Sequence, residues 1–141
     1  MEPTKQVQYI EIGIGKERYA LRIDDIHEII KMQDITVIPH TNPYIKGVIN
    51  LRGKVIAVIS LRNRLGCIEE AYSKLTRIVV VNYKESMVGL IVDRVLHVTS
   101  FSAIQPPPKT IGELQDSCFT GVGRTEGGLV FILKLEHVLQ E

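Results

Sequence analysis

Apolar and polar residues alternate along Gln6 to Ile14, QVQYIEIGI, with Val7, Tyr9 or Ile10, Ile12 and Ile14 on the apolar side. A period of two predicts a strand. Gly15-Lys16-Glu17 supplies a turn and Arg18 to Ile23 a second strand, so a hairpin is expected first. Asp24-Asp25 suits a helix start, and Ile26, Ile29 and Ile30 fall at i, i+3, i+4. That spacing predicts a short helix over Ile26 to Ile30. Ile35 to Ile38 reads as a short strand, and the loop after it is dictated by Pro39 and Pro43. Gly47 to Ile59 reads as strand, tight turn, strand. A helical turn over Leu61 to Leu65 then closes at Gly66, and residues 67–75 form a polar connector. Arg77 to Tyr83 and Met87 to Val92 form a hairpin about Lys84-Glu85, and Leu96 to Ser100 a further strand. Pro106-Pro107-Pro108 is a stiff spacer. A last hairpin spans Cys118 to Leu133 across Glu126-Gly127-Gly128, and a short helix covers 135–140.

The second hairpin family repeats. GVINLRGKVIAVISL from Gly47 matches GVGRTEGGLVFILKL from Gly121 at a constant offset: Gly53 with Gly127, Val55 with Leu129, Val58 with Ile132, Leu61 with Leu135. YALRIDDI from Tyr19 likewise matches VGLIVDRV from Val88, pairing Leu21 with Leu90, Asp24 with Asp93 and Ile26 with Val95. Each set supplies about five short strands, enough for a small closed barrel. A mainly β protein of two small barrels packed side by side, with short helices, is therefore expected. The expected division is 14–67 and 76–134 within a single domain over 1–141, with the first strand, 6–13, free to cross to the second barrel.

Composition supports this reading. The chain has 141 residues, with 15 Val and 19 Ile against 4 Ala, and β-branched side chains favour pleated sheets. Net charge is +1, which disfavours a general nucleic-acid or membrane binder. Cys67 and Cys118 stand far apart and read as free thiols of a reducing compartment. With no signal pattern at the N-terminus and no apolar run long enough to span a bilayer, a cytoplasmic protein without direct membrane insertion is expected.

No catalytic constellation emerges. His27, His40, His97 and His137 have no metal-ligand spacing, and no serine sits in a nucleophile elbow. The glycines mark turns rather than a phosphate loop. No enzyme activity, metal or cofactor is expected. One local charge feature stands out: no acid occurs between Asp34 and Glu69, while Lys46, Arg52, Lys54, Arg62 and Arg64 do. This Lys46–Arg64 basic run keeps a nucleic-acid-binding small barrel as the alternative. A solvated face or an acidic protein partner explains it better, because the interleaved residues are aliphatic.

The segment IPHTNPYIKGVINLRGKVIAVISLR, from Ile38, together with IHEIIKM, MVGLIVDRV and FTGVGRTEGGLVFILKLEHVL, resembles the bacterial chemotaxis coupling-protein family, CheW, along essentially the whole chain. The resemblance implies a pair of SH3-like barrels and a non-enzymatic adaptor. Its implied partners are the regulatory domain of a CheA-type histidine kinase and the cytoplasmic tip of a chemoreceptor. No nucleic acid is implied, and a free coupling protein is preferred to a fused module. It places Ile26, Glu28 and Ile29 at the receptor, and Gly47, Asn50, Arg52 and Gly53 in a partner-binding signature turn. A Glu28–Arg52 charge pair would fix that turn or meet the partner. The sequence departs from the family at Ser60 and Lys134, where many members carry Asp.

Overall fold

The computed structural model describes residues 7–39, 42–106 and 118–139. In chain order the strands are β1 (Tyr9–Ile14), β2 (Glu17–Arg22), β3 (Ile26–Lys31), β4 (Ile45–Leu51), β5 (Lys54–Ser60), β6 (Arg77–Tyr83), β7 (Ser86–Val92), β8 (Arg94–Thr99), β9 (Ile104–Gln105), β10 (Phe119–Thr125) and β11 (Gly128–Leu133). Two single-turn helices, α1 (Leu61–Arg64) and α2 (Leu135–Val138), follow β5 and β11. Their short length is set by the sequence: Gly66 takes φ +81° just past α1, ending the helix.

The strands form two packed sheets, ordered β8-β1-β2-β11-β10-β9 and β3-β6-β7-β5-β4. In the first, β8 and β9 lie at opposite edges yet are only a few residues apart in the chain, so the sheet curls back on itself. The second curls the same way, because Thr36, just beyond β3, bridges Val48 of β4 with two 2.9 Å hydrogen bonds. Each sheet encloses a small core, Ile49, Ile56, Val58, Ile78 and Val80 in one and Tyr9, Ala20, Val130 and Ile132 in the other. The largest core lies between the sheets, where Ile12, Ile14 and Leu21 meet Val79, Leu90 and Val92. Strands facing an inner core on one side and the joint core on the other are apolar on both faces, which is why β6 reads as an unbroken Val/Ile run.

The repeat is preserved down to the hydrogen-bond register. Ile10 faces Leu21 as Val79 faces Leu90, an offset of 69 residues. Ile12 faces Val95 as Val81 faces Ile26. Gly121 faces Ile132 as Gly47 faces Val58, an offset of 74. The parallel contacts also coincide: Ala20 with Ile132, and Gly89 with Val58. Even the closing bridges match, Thr36 with Val48 and Gln105 with Val122.

Two expectations need correction. The division at 14–67 and 76–134 does not follow the sheets. The whole hairpin β1–β2 pairs with β8 and β11, and the hairpin β6–β7 pairs with β3 and β5. The two repeats thus exchange hairpins, and the crossover extends well beyond residues 6–13. Sequence similarity identifies equivalent strands but carries no information on which copy receives them. The predicted helix over Ile26 to Ile30 is strand β3, preceded by a 3-10 turn at Ile23–Asp25. Its apparent helical spacing comes from a bulge: Ile26 opposes Val81 and Glu28 opposes Val80, leaving His27 unpaired in the ladder. That extra residue puts Ile26 and Ile29 on one face, with Val81 and Val79, and Glu28 and Ile30 on the other. The expected strand over Ile35 to Ile38 is reduced to the Thr36 bridge, and Pro107 and Pro108 lie outside the described residues.

Candidate functional site

The candidate site sits where β3 passes the β4–β5 turn. Arg52 and Gly53 take φ +50° and +89°, the two left-handed central residues of a tight hairpin turn. Glycine meets the second requirement at no steric cost, and the Asn50 Oδ1 accepts the Gly53 amide at 2.7 Å. This turn aims Arg52 at β3, where its guanidinium donates to both carboxylate oxygens of Glu28, one contact at 3.2 Å. The hydrogen bonds from Arg52 hold the Glu28 carboxyl below the usual carboxylate range, and the Arg52 guanidinium is raised in turn. Arg52 remains two-thirds exposed, so the pair presents a fixed, solvent-facing fork. His27, the bulged residue, places its Nε2 3.4 Å from Glu28.

Of the remaining sequence-derived residues, Ile29 is 38% exposed while Ile26 is half-buried against the joint core. The more accessible of the two is thus the one further along the strand. Gly47 is buried and belongs to the architecture rather than to a surface. Its φ is +148°, and a Cβ there would overlap the Thr36 carbonyl oxygen and stand 2.7 Å from the Thr36 carbonyl carbon. Only glycine lets the bridge that curls the sheet form. Gly121 does the same in the other repeat, where a Cβ would lie 2.8 Å from the Gln105 oxygen.

A second polar constellation went unrecognised in the sequence. Asp93, between β7 and β8, accepts from Arg62 Nε at 2.9 Å and from the Gly15 amide at 2.7 Å. Arg62 also donates to the Ile68 carbonyl at 2.8 Å. One ion pair therefore ties both sheets to the connector after α1. Burial pushes the Asp93 carboxyl up, but the Arg62 and Gly15 hydrogen bonds outweigh it and leave the carboxyl below its ordinary value. The repeat matches Asp24 with Asp93, yet Asp24 only approaches the exposed Arg22 at 3.8 Å while Asp93 is held closely by Arg62.

The basic run is largely consumed internally. Lys46 pairs with Glu69 at 2.9 Å, Arg52 with Glu28, and Arg62 with Asp93, while Arg64 donates to the Val138 carbonyl at 2.8 Å and lies over the Tyr44 ring. It does not form a free cationic face for phosphates. Among the described residues no group of His, Cys, Asp and Glu could hold a metal ion. Among them, too, no helix is long and apolar enough to cross a membrane. Cys67 and Cys118 are both free.

Comparison with known proteins agrees with this geometry. The family model for the CheW-like domain matches residues 8–141. The chemotaxis protein CheW of Helicobacter pylori is 36% identical over 137 residues, covering 96% of this chain and 82% of that protein. Its counterpart from Thermotoga maritima is 31% identical over 140 residues, covering 99% and 92%. The crystal structure of the scaffolding protein TtCheW from Thermoanaerobacter tengcongensis superposes with a TM-score of 0.89 at 34% identity, covering 99% of this chain and 91% of that one. With two packed sheets that match the family's pair of SH3-like barrels and a family match over nearly its full length, the chain belongs to the CheW-like domain family.

Proposed function

We propose that this chain couples a chemoreceptor's cytoplasmic tip to the regulatory domain of a CheA-type histidine kinase, using the surface around Glu28 and Arg52. The family is one of non-enzymatic scaffolds that couple receptors to CheA in chemotaxis. The observation that carries the reading to these residues is the bidentate Arg52–Glu28 fork, held at the surface by a turn whose geometry few sequences meet. Ile29, on the opposite face of the edge strand β3 from Glu28, supplies exposed apolar area, and Ile26 extends that face toward the joint core. Asn50 and Gly53 keep the turn in shape, and Gly47 keeps β4 in place beneath it. A helical partner lying along the edge strand β3 meets both, the apolar face giving affinity and the fork at its rim giving orientation.

The test is co-sedimentation with a CheA-type regulatory domain and a receptor fragment. Glu28→Lys and Arg52→Asp, each folded by circular dichroism, are expected to weaken at least one contact. The exchange Glu28→Arg with Arg52→Glu separates two roles. Recovery means that the pair acts by fixing the turn, and continued loss means that one member meets the partner directly. Assembly like wild type by both single variants overturns the site.

A further inference from the structure

The repeat creates two equivalent grooves between the sheets, and only the first is narrowed by a connecting segment of the chain. The first, about 210 Å³, is lined by Ser60, Arg62, Asp93 and Arg94 and by the connector that follows α1. That connector forms one wall of it. Its Glu69 carboxylate accepts from the Ser60 hydroxyl and meets Lys46 Nζ at 2.9 Å, and its Glu70 lies 3.4 Å from Arg62. Burial raises the Glu69 carboxyl, but the Ser60 and Lys46 contacts outweigh it and hold it below the usual carboxylate range.

The second groove, about 400 Å³, is lined by Arg22, Asp25, Lys84, Thr120, Lys134 and Glu136, among others. By the register offsets, Lys134 stands where Ser60 stands, Thr120 where Lys46 stands, Glu136 where Arg62 stands and Asp25 where Arg94 stands. Backbone bonds confirm the match, since Ser60 N donates to the Tyr44 carbonyl and Lys134 N to the Cys118 carbonyl, both at 2.7 Å. The ammonium and hydroxyl that grip Glu69 thus recur with positions exchanged, as Lys134 and Thr120, whose hydroxyl donates to the Ile132 carbonyl at 3.3 Å and must turn from it to meet an acid. The cation beside Glu70 is replaced by an acid, Glu136, with Asp25 near it. Lys134 is left with a loose 3.9 Å approach to Glu136.

We propose that this second groove docks an extended peptide of a protein partner that carries an acidic side chain followed directly by a basic one. The acid lies on Lys134 and Thr120, as Glu69 lies on Ser60 and Lys46. The base lies against Glu136 and Asp25, where the first groove has two arginines. The order of the two charges is fixed by the direction of the connector, which runs from α1 past Glu69 to Glu70.

The probe is the connector's own sequence with one change, the acetylated amide Ile-Glu-Lys-Ala-Tyr-Ser, added to the full-length protein and followed by backbone amide NMR shifts. Saturable shifts are expected at Thr120, Lys134 and Arg22. The charge-inverted peptide Ile-Lys-Glu-Ala-Tyr-Ser is expected to bind at least about fivefold more weakly, the size of one exposed ion pair. Lys134→Glu should reverse that preference, which a merely structural role for Lys134 would not do. Thr120→Val, a near-isosteric change, keeps the test open should Lys134→Glu fold poorly, and it is expected to weaken the first peptide alone. Three results overturn the proposal. They are no saturable shift at millimolar peptide, equal binding of both charge orders, or markedly tighter binding once residues 1–6 or 140–141 are removed. The last would assign the groove to the chain's own end.

Discussion

Replacing Gly47 by alanine separates architecture from recognition in the signature segment. The new Cβ would overlap the Thr36 carbonyl oxygen at a backbone φ of +148°. Relief requires Thr36 to move off β4, which breaks two 2.9 Å hydrogen bonds with Val48. Those bonds are worth about 1 kcal/mol each net, and the strained backbone adds about 1–3 kcal/mol. A loss of about 3–5 kcal/mol is expected, a large part of the ~5–15 kcal/mol that holds a domain together. With a urea slope of about 2 kcal/mol/M, the unfolding midpoint followed by circular dichroism falls by roughly 2 M. Gly53→Ala is the control, because it too has positive φ, +89°, but nothing within 4 Å of the new Cβ. It should lose only about 1–2 kcal/mol from strain. Equal midpoints for the two variants would refute the reasoning, and so would a Gly47→Ala protein within 1 M of wild type. A glycine in this segment can be intolerant of change without touching any partner.

Other outcomes follow from the buried charges. Because the folded Asp93 carboxyl lies below its unfolded value of about 3.9, its contribution is fully present above about pH 5 and fades as pH falls through the lower folded value. Asp93→Asn should cost about 1.5–3 kcal/mol at pH 7 and flatten the acid limb of a stability–pH profile, and an unchanged limb would contradict this. Glu11 is fully buried, with Arg18 Nη1 at 3.3 Å and His97 Nε2 at 2.9 Å, whereas the other repeat carries Val80 and Met87 at the positions of Glu11 and Arg18. Arg18→Met alone should destabilise by about 3–5 kcal/mol, while Glu11→Val with Arg18→Met should be neutral or stabilising, and calorimetry showing the double variant worse than the single would exclude this account. Cys67→Ser and Cys118→Ser should each unfold reversibly without a redox dependence, as free thiols require, and a melting temperature that shifts with reductant in wild type would say otherwise.

The hairpins were legible because their turns are written in local chemistry. Arg52-Gly53 and Glu126-Gly127-Gly128 interrupt runs of β-branched residues, and a glycine frame at one offset betrayed the duplication. β3 was misread because one bulged residue, His27, turns a period of two into a spacing of three, and a spacing of three followed by four is what a helix shows. Glu28 and Arg52 were recoverable as a pair only through family resemblance, since 23 residues separate them and their meeting depends on how β3 and β4 lie in the curled sheet. The roles of Asp93 and Arg62 were hidden for a related reason. Their contact joins the ends of β5 and β7, neighbours in one sheet that come from different repeats, and each repeat read alone holds only part of it.

Because the opening hairpin is clasped by strands made last, the order of synthesis and the order of assembly disagree. The sheet formed by residues 26–92 is complete once Val92 has left the ribosome, yet residues 9–22 must wait for Leu133. At ~5–20 residues per second that delay is roughly 5–20 s, during which Ile12, Ile14 and Leu21 have no lasting cover. Nascent chains of this protein should therefore be clients of chaperones that hold apolar segments near the exit tunnel, and severing the gene between its two copies should yield fragments that fold only when expressed together.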